Sequence, residues 1–435
     1  MTNPTTFGPH DVTDNTLADT LGVGLLPSQD EPPTTTGPTT RWTSGRGFLV
    51  LVFLLLVLRL ASLIGVLSSG QELEGSILGG DARRYAQMVT AAGTPYADFA
   101  VEYPPLVLGS IKLLHRDSAF ETLVLLGISQ FVLDLGIAAF LWWGFGRRVV
   151  LAYLLLSTVF LPFPMQYTRL DLLAVFLATA GWAYLRRGGE LRGGAALALS
   201  VFAKLWPLAL APLMLIDQRR RGLASWVVTG AIGATAWWLW AGADGMVQVV
   251  SFRGATGWQV ESLPGNVLQI LDHTRTNFAQ GAWRIGTMPS WSRPLFTALS
   301  IGVTAIGWRW ASGSSDTARY GHAGIVSVTA FLVFSAIISP QYTLWLLPFC
   351  AISAAAHPRR YGVPSALIFG LSTLGLAVIS GQPDGHLYAT LPVLARNICL
   401  VWLLVLALHD LHADREQRGI FDSPNQNLVT ASPSS

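Results

Sequence analysis

Runs of apolar residues recur along almost the whole chain, and the basic clusters between them restrict how those runs can be threaded. The runs fall at residues 47–67, 121–143, 149–163, 172–185, 193–215, 223–241, 294–311, 322–338, 342–356, 362–380 and 388–409. Several reach the roughly 20 apolar residues that a helix needs to cross a bilayer. Of the 435 residues, only 12% are charged and 51% are hydrophobic, where an ordinary soluble domain carries about 25% charged residues. A segment in lipid must satisfy its own backbone polar groups, which leaves helices as the economical solution. The chain therefore reads as an all-α polytopic membrane protein. Its formal charge of +3 carries no nucleic-acid footprint, because the basic residues sit in short clusters at the ends of apolar runs, where they set orientation. Cys350 and Cys399 both fall in apolar runs and read as packing residues, with neither a disulfide framework nor a metal site.

Charge counting then gives a topology. Arg41 and Arg46 precede the first run and place the N-terminus in the cytoplasm. Arg59 lies inside that run, where a charge is expensive unless it snorkels or is paired. The run 193–215 has basic residues on both flanks: Arg186, Arg187 and Arg192 before it, Arg219, Arg220 and Arg221 after it. A single crossing would put one cluster on the wrong side. A break at Lys204-Leu205-Trp206-Pro207 repairs this, since proline inside a helix costs about 3 kcal/mol and non-helical backbone is tolerated at depth where it lines a polar cavity. With that break there are about twelve crossings, and the major basic clusters fall on the cytoplasmic side. Residues 41–411 then form one membrane domain with two long outer loops, 68–120 and 242–292. Residues 1–40 and 412–435 read as disordered cytoplasmic tails, and no cleavable signal peptide is visible.

The topology gathers the polar chemistry on one face, the extracytoplasmic one. Asp81, Tyr85, Glu102 and Tyr103 lie in the first outer loop; Arg169 and Asp171 lie on one hairpin tip and Lys204 on another. Arg253, Gln259, Glu261 and His273 lie in the second outer loop, and Gln341 and Tyr342 follow Ser339-Pro340. Residues 81–92 can form a short helix, with Asp81 as its N-cap or as a functional carboxylate, and Pro104-Pro105 can start another. Glu102 can contact an acceptor or pair with Arg83 or Arg84, and Arg169 can pair with Asp171 or bind an anion. Inverting glycosyl transfer needs one carboxylate to take the proton of an acceptor hydroxyl. A lipid-phosphate leaving group needs cations aimed at its oxygens. No glycine-rich nucleotide loop is present, nor an Asp-x-Asp pair in the outer loops, which disfavours a metal-held nucleotide diphosphate.

Gly80-Asp81, Tyr85, Gly93-x-Pro95-Tyr96 and Glu102-Tyr103-Pro104-Pro105 resemble the first extracellular loop of glycosyltransferase family 87, within the C-type (GT-C) superfamily. Arg169-Leu170-Asp171, Gly193-Gly194 through Lys204-x-x-Pro207, Arg253-Gly254 with Gln259-x-Glu261-Ser262, and Ser339-Pro340-Gln341-Tyr342 extend the likeness over residues 47–410. The resemblance implies a GT-C-type bundle with a catalytic first extracellular loop in the plasma membrane. It implies transfer of a hexose, α-linked mannose above all, from a polyprenyl-phosphate sugar to a glycolipid or envelope polysaccharide, without a cofactor. Asp81 corresponds to the family's acidic base. On the present reading Lys204, Arg169 and Arg253 are candidates for the donor phosphate. Tyr85, Glu102, Tyr103, Gln259, Glu261, Gln341 and Tyr342 are candidates for sugar and acceptor. Three other readings stay open: an arabinofuranosyltransferase with the same kind of donor, a secondary transporter or lipid flippase, and a non-catalytic scaffold.

Overall fold

The computed structural model describes residues 45–68, 77–162, 165–250, 256–272, 276–279, 282–381 and 387–421. Backbone contacts divide the chain into two units, Met1–Phe48 and Leu49–Ser435. The helical bundle and its polar face belong to the second unit.

α1 (Gly45–Ser68) is apolar around its whole circumference, as a helix facing lipid on one side and protein on the other must be. Arg59 is fully buried within it. Its Nε donates to Asp134 Oδ2 at 3.0 Å, Nη1 to the Leu55 carbonyl, and Nη2 to the Leu154 carbonyl and Ser157 Oγ. The paired alternative thus holds for Arg59. α2 (Ile77–Thr90) and α3 (Pro105–Leu114) occupy the first outer loop. α3 starts at the Pro-Pro pair, with Pro104 extended at the cap and proline in the first turn, where its missing N–H costs nothing. α2 begins four residues before Asp81, so Asp81 is not an N-cap: the apolar Ile77 and Leu78 extend the helix backwards through Gly79 and Gly80.

α4 (Ala119–Phe145) is capped by Ser118, whose Oγ accepts from the Glu121 N–H. It carries Asp134, which also accepts from Tyr153 and Tyr167. α5 (Arg147–Ser157) passes through a 3₁₀ turn at Thr158–Phe160, and a single turn α6 (Met165–Thr168) leads to α7 (Asp171–Arg186). α8 (Glu190–Ala203) ends where the sequence places the break. Lys204 is extended at φ −154°, ψ 151°, and a 3₁₀ helix Trp206–Leu210 with an early proline leads into α9 (Pro212–Ile216). α10 (Arg220–Val250) bends at Gly242, whose φ of 67° is costly for any residue with a Cβ. α8 and α10 touch backbone to backbone: a Cβ on Gly194 would lie 2.0 Å from the Gly222 carbonyl oxygen.

The second outer loop contains regular structure. Three short strands, β1 (Trp258–Gln259), β2 (Asn277–Ala279) and β3 (Ala282–Ile285), form an antiparallel sheet in the order β1-β3-β2, interrupted by α11 (Leu263–Asp272). Gln259 and Asn277 both pair with Arg284. Trp258, Val260 and Ile285 form its buried cluster, against which Phe296 and Ala336 pack. The chain finishes with α12 (Ser292–Ala311), a π turn at Ala318–His322, α13 (Ala323–Val333), a 3₁₀ helix Pro340–Leu346, α14 (Leu347–Ala356), a second π turn at Pro358–Gly362, α15 (Val363–Gly381) and α16 (Leu387–Phe421).

Among the described residues, four helices are long and apolar enough to cross a membrane: Gly45–Ser68, Ala119–Phe145, Arg220–Val249 and Leu391–Arg418. Of the other apolar runs, 193–215 and 342–356 are broken by 3₁₀ turns and 322–338 and 362–380 each begin in a π turn, whereas 172–185 and 294–311 each fall in one helix. Residues 412–421, expected to belong to a C-terminal tail, are helical instead, because α16 continues to Phe421. Asp414 accepts from the Ser315 N–H, and Arg418 donates to the Gly313 carbonyl, which ties the added turns to the loop after α12. Residues 1–40 and 422–435 lie outside the described residues.

Candidate functional site

A cavity of about 1360 Å³ opens among the segments that the topology placed on one face. It is larger than the roughly 300–1000 Å³ of an ordinary small-molecule pocket. Eight side chains singled out from the sequence line it: Glu102, Tyr103, Arg169, Lys204, Gln259, Glu261, Gln341 and Tyr342. Five separate stretches of chain supply them, and each stretch is fixed by its own contacts.

Glu102 and Tyr103 belong to the loop between α2 and α3. Gln248 near the end of α10 clamps this loop, accepting from the Val101 N–H at 3.0 Å and donating to the Tyr96 carbonyl at 2.7 Å. Tyr96 packs against Trp237 and Trp240, and its hydroxyl donates to the Tyr103 carbonyl. Desolvation holds that phenol protonated far above its ordinary range. Glu102 pairs with Arg84 of α2, the second of the two partners foreseen. Tyr85 is buried and meets Tyr103 edge-on at 6.0 Å. It backs the Tyr103 ring instead of lining the cavity, which removes direct sugar stacking from its expected role. Residue 81 is on α2 one turn before Arg84 and Tyr85; its side chain lies outside the described residues, as do Arg253 and His273.

Arg169 and Asp171 are presented by the tip between α6 and α7. Tyr167 anchors this tip by donating to Asp134 Oδ2 at 3.0 Å, so the buried Arg59–Asp134 pair fixes the wall of the site as well as the bundle. Asp171 takes Lys204, with Nζ to Oδ1 at 2.7 Å, and Trp345 Nε1 donates to the same oxygen at 2.7 Å. Asp171 thus has Lys204 as a partner from a separate hairpin, and the extended backbone at residue 204 carries the ammonium to the carboxylate. Three rings surround the ammonium, with centroids at 4.6 Å for Tyr342, 5.1 Å for Trp345 and 5.8 Å for Tyr103. Trp345 stacks in turn on Tyr342 at 4.3 Å and on Trp206 at 5.6 Å. The result is a column of aromatic faces of the kind that sugar rings and cations both favour.

The opposite wall comes from the small sheet. Glu261 follows β1, is nearly buried, and accepts from Gln259 Nε2 at 2.9 Å. Arg396 and Asn397 of α16 donate to its backbone carbonyl. Burial pushes its carboxyl up to about 7, against the opposing pull of Arg396, Gln259 and Arg169. Gln259 Oε1 and Trp206 Nε1 are buried without a hydrogen-bond partner among the described residues. Arg284 on β3 donates to the carbonyls of Ala279 (3.2 Å) and Gly257 (3.5 Å). Burial, and then the neighbouring Arg293, lower its proton affinity.

Arg284, Arg293, Trp206 and Trp345 line the cavity too, and sequence reasoning did not select them. A signal existed for the arginines. Arg284 falls inside, and Arg293 just beyond, the segment assigned to the outer side, where the positive-inside rule gives no reason for basic residues. Among the described residues, no group of three His, Cys, Asp or Glu side chains could hold a metal ion.

No family model matches this sequence. No curated protein matches it either. Among solved structures, the crystal structure of ArnT from Cupriavidus metallidurans in the apo state is 17% identical over 88% of this chain and 81% of that one, with a TM-score of 0.39. A likeness that slight bears on neither fold nor function, so the resemblance to glycosyltransferase family 87 rests on its motifs alone.

Proposed function

We propose that this chain is an integral membrane glycosyltransferase of the C-type class, which moves a hexose, mannose in the first instance, from a polyprenyl phosphate to a glycolipid or envelope polysaccharide acceptor at the extracytoplasmic face of the plasma membrane. The observation that supports this reading is the convergence of Glu102, Arg169, Lys204, Glu261 and Tyr342, from five distant stretches of sequence, on one cavity. Aromatic faces, cations and buried carboxylates are the groups that a phosphorylated sugar donor and a hydroxyl acceptor require.

In the proposed reaction the acceptor oxygen attacks the anomeric carbon from the face opposite the phosphate, and a new C–O bond forms with inversion. The bond from the anomeric carbon to the phosphate oxygen breaks, and its electron pair leaves with the polyprenyl phosphate. The acceptor proton passes to the Asp81 carboxylate. Arg169 and Lys204 stabilise the charge that grows on the leaving phosphate, with Asp171 and the surrounding rings fixing where the ammonium sits. Tyr342, Trp345 and Tyr103 offer faces to the sugar; Glu102, Gln259, Glu261 and Gln341 offer partners to hydroxyls. A positioned general base contributes roughly 10²–10⁴ in rate. Asp81→Asn protein, supplied in membranes with polyprenyl-phosphate-mannose, is expected to lose that factor while the protein stays folded. Transfer at the unaltered rate would remove this mechanism.

A further inference from the structure

Resting on that reading, we propose that Arg284 and Arg293 form a further phosphate-holding pair in the cavity, and that the face of α12 running away from Arg293 receives the polyprenyl chain. Three observations meet here. The first is charge. Arg284 is almost fully buried, yet its described bonds go to carbonyl oxygens, which accept hydrogen bonds but carry no compensating charge. Of its charged neighbours, the cation Arg293, which lines the same cavity, acts on it most. A buried guanidinium held by carbonyls keeps its charge for an anion in the cavity, and guanidinium matches phosphate oxygens in a bidentate fork. Tyr342 acts on Arg284 as well as on Lys204, so this pair continues the cationic lining that starts at Lys204.

The second observation is helical periodicity. Arg293 is in the first turn of α12. Phe296, Ser300, Ile301, Thr304, Ala305 and Trp308 follow it along the cavity, spaced by three or four residues and therefore on one helix face. At about 1.5 Å per residue, the stripe from residue 293 to 308 is about 22 Å long, against a hydrocarbon core of about 30 Å. A ligand with a phosphate at one end and a long apolar tail has this distribution of charge.

The third is access. Leu208 on the facing 3₁₀ helix is 52% exposed and Ile301 is 64% exposed, so the stripe opens sideways. Trp308 closes its far end by donating to the Ala209 carbonyl at 2.9 Å. A chain can thus enter laterally between α12 and the 206–216 segment while its head group stays at the cationic end.

The test uses the purified full-length protein in lipid nanodiscs, a diazirine-bearing polyprenyl phosphate and the matching neutral polyprenol, with crosslinks mapped by mass spectrometry. The lipid phosphate is expected to label residues 296–308 in the unaltered protein. Arg293→Gln, at an exposed position, and Arg284→Gln should each cut that labelling at least tenfold and leave polyprenol labelling unchanged. Ala305→Trp, which fills the stripe, should reduce labelling by both lipids. Labelling of both arginine variants at the unaltered level, or crosslinks that map elsewhere, would overturn the proposal. Binding is read without any sugar transfer. A protein that binds the lipid phosphate here but transfers nothing keeps the subsite and loses the proposed function. A protein that transfers sugar, with both arginine variants binding normally, loses the subsite alone.

Discussion

The helices carry arginines at both of their ends, and the two sets are treated differently. At the end where the sequence places the cytoplasm, carboxylates answer them directly. Arg319 pairs with Asp217 at 3.0 Å, Arg186 with Asp316 at 3.1 Å, and Arg360 with Asp410, while Arg219 lies between Asp217 and Glu190. Burial pushes the Asp217 carboxyl up, and Arg319 and Arg219 pull it back. Tyr361 and Tyr320 add hydroxyls to the same carboxylates. These interactions link loops at this end to each other. At the other end, Arg84 pairs with Glu102 and Lys204 with Asp171, yet the cations line a large void together with Arg169, Arg284, Arg293 and Glu261. Cations that hold loops together can be matched by protein; cations that hold a ligand must keep some of their field for it. On the proposed function, that difference, more than the number of charges, separates the end that holds the bundle from the end that holds the substrate.

The sharpest way to break the comparison is inside the cavity. Lys204–Asp171 is the pair there that most resembles the matched end, but it is deeper: the two side chains are 11% and 3% exposed. Asp171→Ala strands the ammonium beside three rings and deprives Trp345 of its acceptor. A loss of about 3–5 kcal/mol is expected, the usual cost of removing one member of a buried pair, together with loss of transfer. Thermal unfolding in detergent reads the first and a transfer assay the second.

A smaller effect concerns Glu261. Its folded carboxyl titrates near 7, against a reference of 4.5, so the folded state holds the proton more tightly than the unfolded one. Between those values the folded state binds more protons, and stability falls as pH rises. Stability linked to Glu261 is therefore full below about pH 4.5 and lost by about pH 7. The shift corresponds to on the order of 3 kcal/mol. Melting temperatures from about pH 4.5 to about pH 7.5 should decline in the unaltered protein and decline less in Glu261→Gln, which keeps the shape and removes the titration. The same slope in both proteins would show that Glu261 is not the group responsible.

The smallest effect is expected at the matched end. Arg360 is 47% exposed in its pair with Asp410, and exposed pairs contribute at most about 1 kcal/mol. Arg360→Ala should shift stability by no more than that and leave transfer unchanged. A large loss of transfer would mean that the two ends are coupled.

The parts legible in the sequence were those enforced by strong penalties. Proline and two flanking basic clusters located the break at Lys204. The cost of a lone charge in an apolar helix foretold a choice between snorkelling and pairing for Arg59, and Asp134 supplied the partner. The Pro-Pro pair marked the start of α3. Other features carried weaker signals. Strands of two to four residues are too short for alternation to show, so the sheet that carries Arg284 was hidden. The start of α2 at Ile77 and the extension of α16 to Phe421 depend on tertiary contacts and on weak local propensity. The pairing of Lys204 with Asp171 depends on a backbone conformation at residue 204 that the break permits without specifying. Positive-inside counting explained the basic clusters on the cytoplasmic side; Arg284 and Arg293 were among those it left over.

The most direct test of the central claim supplies membranes containing this protein with radiolabelled mannose on a polyprenyl phosphate, and in parallel on a nucleotide. Label is expected to move from the lipid phosphate to a glycolipid or polysaccharide with release of polyprenyl phosphate, and the nucleotide sugar is expected to give no product. Label that crosses the membrane still attached to its original carrier, with no new glycoside formed, would contradict the central claim.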